Sequence, residues 1–189
     1  LRESTKDKMR EVEHIIEALG EWQGIDPATG FQLVKRPDGR GQHSFGGELE
    51  ADDVESGTIY VLRSLSDHPY VARHREIFHK VGVTGQPVAS RIANAPNDPT
   101  FLLADVDVVA EYRLYNINRT KLEGLIHRAL GPARLDLSAG DRFGKTVQPR
   151  EWFLVPLSAI DELVAKISDG SVTDFHYDPE QAQFVPDVT

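Results

Sequence analysis

The feature that most constrains the fold is a set of apolar residues at every second position across residues 101–115. The apolar set is Leu102, Ala104, Val106, Val108, Ala110, Tyr112 and Leu114. Asp105, Asp107, Glu111 and Arg113 lie between its members. Successive side chains of a strand point to opposite faces, so this period of two predicts a long strand with one buried and one solvated face. We expect Asp105 and Asp107 to belong to the solvated face rather than to a metal site.

Residues 58–65 and 76–84 predict two partner strands, because both are rich in Ile, Val, Tyr and Phe and are separated by polar residues. Pro87 can open a short helix, which an apolar stripe of Val88, Ile92 and Ala95 would attach to the sheet. Asn118 can cap a second helix that runs to about Leu130.

Residues 151–155 are short and strand-like, and Ser158 with Asp161 forms a capping pattern before a last amphipathic helix. The element order is therefore β-β-α-β-α-(β)-α. It predicts an α/β (α+β) fold with a small, mainly antiparallel three-stranded sheet flanked by helices.

The first 56 residues predict a helix followed by an irregular connector. Residues 4–19 carry apolar side chains at helical spacing, with a polar start and Gly20 as a stop. This stripe packs on the domain, pairs with a second copy, or continues a longer helix. Residues 31–34 and 42–45 resemble a small hairpin, and residues 48–55 form a charged linker. We therefore divide the chain at Ser56, with a main domain over residues 57–168 and an acidic tail over residues 169–189.

Composition restricts the kinds of site the chain can build. Its 189 residues fit one ordinary domain with extensions. Cysteine is absent, which excludes disulfides and thiolate metal sites and favours a cytoplasmic setting. No apolar run approaches the ~20 residues that cross a bilayer, so we expect no membrane partner.

A net charge of -9 argues against a nucleic-acid partner, but the charge is unevenly distributed. Residues 1–56 carry 7 basic and 13 acidic side chains, a net charge of -6. Residues 57–166 carry 14 and 12, a net charge of +2, and residues 167–189 carry none and 5. The acidity therefore belongs to the flanks, and the central segment is mildly basic.

Residues with useful chemistry follow one another through this central segment. Gly57-Thr58-Ile59-Tyr60 opens the first strand, and Lys80-Val81-Gly82 lies in the second. Arg91 lies on the next helix and Glu123 on a later one. Hydrolysis of a phosphodiester needs an activated water, neutralised phosphate oxygens and a stabilised leaving oxygen. Each of these residue types can supply one of the three.

This ordered set resembles the GIY-YIG nuclease family over about residues 57–166. In that family a Tyr-bearing strand, a second strand ending in Gly, an Arg and a Glu form one site. One branch, common in phage proteins and beside helicase or restriction modules, adds a His four residues after the Glu and a later Glu-Trp-Phe. His127 and Glu151-Trp152-Phe153 match that branch.

The resemblance implies a divalent-metal-dependent endonuclease that cuts DNA. Tyr60 would activate the water as general base, while Arg91 and Lys80 would hold the phosphate. Glu123 would bind a single Mg²⁺ or Mn²⁺ ion together with several waters. His127, one helical turn away, would assist as an acid, a base or a phosphate contact.

Departures from the family pattern leave several roles open. Lys80 stands in place of the family's second Tyr, where it could hold a phosphate or depress a neighbouring pKa, and His79 is a competing candidate. The connection between Tyr60 and Lys80 is long and contains Arg73 and Arg75. It is either a DNA-contacting loop or a polar hairpin tip. The Asn that other members use late in the domain has no clear counterpart.

Two alternatives to a DNA endonuclease follow. The first is a nucleic-acid-binding or protein-interaction module that keeps the fold without the activity, favoured by Lys80, the missing Asn and the acidic flanks. The second is RNA as substrate, since the chemistry is the same. Residues 1–56 could be the remnant of a specificity module, or could dock the domain on a larger parent assembly such as one of phage defence or DNA repair.

Overall fold

The computed structural model describes residues 31–35, 43–45, 54–140 and 145–187. The strands in these ranges are β1 (Phe31–Lys35), β2 (His43–Phe45), β3 (Glu55–Ser64), β4 (Phe78–Thr84), β5 (Val106–Tyr115), β6 (Ala139–Gly140), β7 (Thr146–Val147), β8 (Trp152–Leu154), β9 (Phe175–Asp178) and β10 (Gln183–Pro186). The α-helices are α1 (Pro69–His74), α2 (Val88–Ile92), α3 (Arg119–Ala129) and α4 (Leu157–Ser168). Six strands form one antiparallel sheet in the order β2-β1-β5-β3-β4-β8.

The mixed α/β class with an antiparallel sheet is confirmed, but the predicted three strands are too few. Between residues 54 and 187 the sheet has four strands, because β8 pairs with β4. The predicted hairpin supplies two more, since β1 pairs with both β2 and β5. The connector therefore extends the same sheet. The predicted helix over residues 4–19 lies outside the described residues.

Both faces of the central strands are covered, which explains their continuous apolar sequences. Ile59 and Val61 of β3 belong to the main core beneath α3 and α4. Tyr60 and Leu62 point to the other face, where they pack with Val88 of α2. The side chains that alternate along β3 thus serve two separate clusters, and Tyr60 faces the side that α2 covers.

The structure departs from the alternation predicted for residues 101–115, because β5 contains a bulge. Val61 pairs with Ala110 and Leu62 pairs with Val108, so Val109 is an extra residue on β5. Val108 therefore packs on the Tyr60 side, whereas Ala110 packs in the main core. The bulge also places Glu111 directly opposite Tyr60. The strand itself begins only at Val106, after two short 3₁₀ turns at Ala95–Asn97 and Pro99–Phe101.

The helix ends follow the predicted capping in one case and depart from it in the other. The Asn118 side chain accepts a hydrogen bond from the Lys121 backbone amide at 3.1 Å, so α3 begins where the sequence predicts. α4 begins one residue after Pro156, which makes no side-chain cap. Ser158 therefore lies inside the helix, and its predicted capping role is wrong.

The segment assigned to an acidic tail contains a hairpin. β9 and β10 pair antiparallel after α4, and the rings of Tyr177 and Phe184 pack 5.4 Å apart. Both side chains are buried in the main core. Each side chain buried in this way stabilises the fold by about 2 kcal/mol, so the hairpin is part of the domain.

Candidate active site

Tyr60 lies at the centre of the candidate site, across the surface of Gly82 on the neighbouring strand. The two residues are register partners in the β3–β4 pair, and Tyr60 is only 1% exposed. A Cβ added at Gly82 would lie 2.6 Å from Cζ of Tyr60 and closer still to its hydroxyl. The absence of a side chain at Gly82 therefore creates the space in which the Tyr60 ring packs.

Arg91 brings a positive charge to the Tyr60 hydroxyl. It lies in the last turn of α2, and its guanidinium donates a hydrogen bond to Tyr60. The guanidinium also lies over the Phe101 ring, 5.2 Å from its centroid. Because the residue is exposed, the rest of the guanidinium fork faces solvent beside Tyr60. Such a fork can bind two oxygens of one phosphate.

Glu123 and His127 reach the edge of β4 from α3. β8 pairs with Phe78 to Lys80, and the Val81 amide donates to the Glu151 carbonyl at 3.0 Å; beyond that point no described strand pairs with the outer edge of β4. The Val83 amide donates to Oε1 of Glu123 at 3.2 Å, and Nε2 of His127 donates to the Val81 carbonyl at 2.8 Å. Glu123 is thereby held next to Gly82, close enough for its charge to influence Tyr60.

Lys80 is part of the buried support under the site. Its side chain is fully buried, its ammonium forms an ion pair with Glu151, and it donates to the Thr100 carbonyl at 3.1 Å. The indole of Trp152 donates to the same carbonyl at 3.1 Å. Burial lowers the pKa of Lys80, while the Glu151 carboxylate opposes that change. In this geometry Lys80 cannot reach a phosphate, which argues against its predicted substrate contact.

The environment of Tyr60 favours its neutral form. Burial, and to a lesser extent the Glu151 carboxylate, raise the pKa of Tyr60 to about 12, although the positive charge of Arg91 opposes them. The hydroxyl is therefore protonated at neutral pH in this arrangement. Any general-base role requires additional positive charge beside it.

The remaining predicted substrate-binding residues lie apart from Tyr60. His79 alternates with Lys80 along β4, so its ring faces the opposite side of the sheet, where it is buried and bonds the Val155 carbonyl at 2.8 Å. Arg75 donates to the Ser66 carbonyl at 2.7 Å, while Arg73 is exposed in the last turn of α1. The long connection thus contains a helix, and Arg73 is an exposed cation on it.

The carboxylates around Tyr60 suit a cation that keeps most of its bound waters better than one that is enclosed by protein ligands. Within the described ranges, no cluster of three or more His, Asp or Glu side chains could enclose a metal ion. Glu123 supplies one half-buried carboxylate next to Gly82. Mg²⁺ is commonly bound through one or two carboxylates and keeps several waters, so this donor set suits it.

No role at the site was assigned to Glu151 or Glu111 from the sequence. Glu151 matched a motif, yet its pairing with a lysine 71 residues earlier could not be read from spacing. Glu111 was assigned to a solvated face, and only the β5 bulge brings it opposite Tyr60. Neither position carries a local signal that would have identified it.

Comparison with known proteins assigns the chain to a family. Residues 57–168 match the family model described as the T5orf172 domain, which is more than half of the chain. The chain therefore belongs to the T5orf172 domain family. The assignment to the GIY-YIG nucleases is wrong at the level of family, because the model that matches is a different one.

The chain is also similar to an uncharacterized protein, YeeC, of Bacillus subtilis (strain 168). The two are 42% identical over 123 residues, which cover 63% of this chain and 32% of YeeC. The chain thus spans about a third of the length of that relative. No solved structure gives a significant match. In the part of the chain that the structure describes, no helix is long and apolar enough to cross a membrane.

Proposed function

We propose that this member of the T5orf172 domain family is a divalent-metal-dependent endonuclease that hydrolyses DNA phosphodiester bonds. The observation that carries the proposal is the convergence of three side chains from three elements around Gly82. Tyr60 comes from β3, Arg91 from α2 and Glu123 from α3, and both charged groups influence the Tyr60 hydroxyl electrostatically. A hydroxyl, a guanidinium fork and a carboxylate are a set that suits phosphoryl-oxygen chemistry.

Arg91 is the group placed to bind the scissile phosphate. Its guanidinium is exposed at one end and anchored at the other by the Tyr60 hydroxyl and the Phe101 ring. Anchoring reduces the rotamer freedom that binding would otherwise remove. A phosphate held there lies beside Tyr60, and negative charge that develops on its non-bridging oxygens during attack is stabilised by Arg91.

Tyr60 would act first as a hydrogen-bonding group that orients the attacking water. With a pKa of about 12 it is almost entirely protonated at neutral pH. When the water attacks phosphorus, the P–O bond to the leaving oxygen breaks and the water loses a proton. Tyr60 can accept that proton only after its hydroxyl has lost its own proton to solvent. The positive charge of Arg91 favours this ionisation, and the charges of Glu151 and Glu123 oppose it.

A cation would be held by Glu123 and water. Bound there, it would supply Lewis-acid charge to the phosphate and positive charge to the surroundings of Tyr60. His127 would act through position, because Nε2 is committed to the Val81 carbonyl and ties α3 to the edge of β4. An acid or base role for His127 would therefore have to use Nδ1.

The proposal is tested by nicking of supercoiled plasmid at low salt, with Mn²⁺, with Mg²⁺ and with chelator. We expect metal-dependent nicking by wild type that is lost in Glu123→Gln and Arg91→Gln. Glu180→Gln is the matched control, because Glu180 is exposed in the turn between β9 and β10. Equal nicking by Glu123→Gln and wild type would contradict the metal assignment. Absence of nicking by wild type would contradict the enzymatic proposal.

The second candidate is a nucleic-acid-binding module without catalytic activity. Two observations favour it: the high pKa of Tyr60 and the burial of Lys80 against Glu151. Such a module would bind DNA with an affinity that falls as salt rises, and it would cut nothing in any metal. RNA in place of DNA is distinguished in the same assays by a matched RNA strand.

A further inference from the structure

A polar groove lies beside Tyr60 on the same face of the sheet. Its volume is about 590 Å³, within the range of sites that bind small molecules or single nucleotides. Its floor is formed by Thr58 and Thr84, and Val88 and Ala89 of α2 form one wall. Since Val88 also packs in the Tyr60 cluster, the groove and the candidate active site share that wall.

One arginine in the groove occupies space that two glycines leave open. Arg119, at the start of α3, donates to the Ser56 carbonyl at 2.9 Å. A Cβ at Gly57 would lie 2.7 Å from Cδ of Arg119, and one at Gly85 would lie 2.5 Å from its Cζ. Gly57 has a φ of +151°, a conformation that side chains rarely adopt. The glycines thus leave a channel for the arginine, whose guanidinium is pre-positioned at the end of the groove.

A second arginine stands opposite, without a partner in the described part of the chain. Arg113 projects from β5, pairs in register with Thr58 and is exposed. Its guanidinium forms no hydrogen bond or ion pair with the described residues. Two carboxylates also line the groove, Glu111 at the Tyr60 end and the exposed Glu55 next to the Ser56 carbonyl that Arg119 binds, so the two arginines offset the acidic charge of the lining.

The groove lies a short distance along the sheet from Tyr60. Arg113 lies opposite Thr58, two residues from Tyr60 along β3. Two strand residues advance about 7 Å. The backbone positions of Arg113 and Tyr60 are therefore close enough for one nucleic-acid strand to pass over both.

We propose that the groove binds the backbone of DNA next to the scissile phosphate, with Arg113 and Arg119 holding a flanking phosphate. The assignment of a scissile phosphate at Arg91 rests on the proposed function. The binding site itself does not, because the groove and its two arginines are independent of catalysis. Glu111 would lie between the two phosphates and oppose binding.

The test is fluorescence anisotropy of a labelled single-stranded DNA oligonucleotide with the full chain, in chelator so that nothing is cut, over a series of salt concentrations. Arg113→Gln removes an exposed guanidinium and should weaken binding about tenfold at low salt. The slope of log affinity against log salt should become shallower by about 0.7, the value for one phosphate contact on a single strand. Glu111→Gln should tighten binding.

Ala89→Glu adds a carboxylate to the groove wall at an exposed helical position, and it should weaken binding without removing a contact. Ala89→Gln controls for its bulk. Lys166→Gln controls for the loss of one charge elsewhere, on α4. Arg113→Gln and Ala89→Glu binding as tightly as wild type, or the two controls weakening binding equally, would overturn the proposal.

The two proposals can fail separately. Metal-dependent nicking with unchanged DNA binding by both groove variants would support the nuclease proposal and refute DNA binding in the groove. DNA binding that both groove variants weaken, without nicking in any metal, would support DNA binding in the groove and refute the nuclease proposal. Lack of binding by wild type at low salt would overturn the groove directly.

Discussion

Gly82→Ala should displace the Tyr60 ring at the candidate site, and the resulting loss of stability can be worked from the structure. The new methyl group would lie 2.6 Å from Cζ of Tyr60, so the ring must move. Tyr60 is 1% exposed and packed against α2, which leaves little room for movement. Overpacking of a well-packed core costs about 1–3 kcal/mol. Alanine regains about 0.5–1 kcal/mol over glycine within a strand.

The two terms leave a net loss of stability of about 0–2.5 kcal/mol, and the 2.6 Å contact with a buried ring places Gly82→Ala at about 1–2.5 kcal/mol, which lowers Tm by about 2–10 °C in a chain of this size. Thermal unfolding followed by circular dichroism measures it. Tyr60→Phe removes the hydroxyl that lies closest to the new methyl group, so the double variant should lose less stability than the sum of the two single variants. A Gly82→Ala protein with an unchanged Tm, or strictly additive losses, would refute the packing of Tyr60 over Gly82.

Three further predictions test the support around the site. Glu151→Gln leaves the fully buried Lys80 charge without its carboxylate and should lower the free energy of unfolding by about 3 kcal/mol. Lys80→Met should lower it less, because the Glu151 side chain that remains is 29% exposed. Equal losses of the two variants in denaturant unfolding would contradict this. Tyr60 has a pKa near 10 when unfolded and about 12 when folded, so the folded state holds the extra proton between these values and stability falls as pH rises from 10 to 12. Over that window wild type should lose about 3 kcal/mol more than Tyr60→Phe, and parallel curves would contradict the raised pKa. Asn118→Ala should cost about 1 kcal/mol through the lost cap of α3, which thermal unfolding against Thr120→Ala as control would show.

Local patterns in the sequence predicted the elements that depend on neighbours in the chain. The strands at residues 58–65 and 76–84 carry their own apolar runs, and Asn118 carries its own capping chemistry. The sequence does not show the β5 bulge, because Val108, Val109 and Ala110 are all apolar and every second residue stays apolar across the extra one. The helix α1 was missed because only one of its residues, Val71, is buried.

Long-range contacts account for most of what the sequence did not predict at the site. Lys80 was predicted to hold a phosphate, since nothing near it in sequence shows that Glu151 will pair with it and Trp152 will cover it. The acidic composition of residues 169–189 concealed Tyr177 and Phe184, which reach the core only when β9 and β10 pair. By contrast, Tyr60, Arg91 and Glu123 were selected together, and they lie around Gly82.

The most direct test of the central claim is nicking of supercoiled plasmid by wild type and Glu123→Gln, each with and without Mn²⁺ at low salt. The account predicts nicking only by wild type and only with the metal, while both proteins bind DNA and unfold at similar temperatures. Nicking by Glu123→Gln at the wild-type rate, or none by a folded wild type that binds DNA, would contradict it.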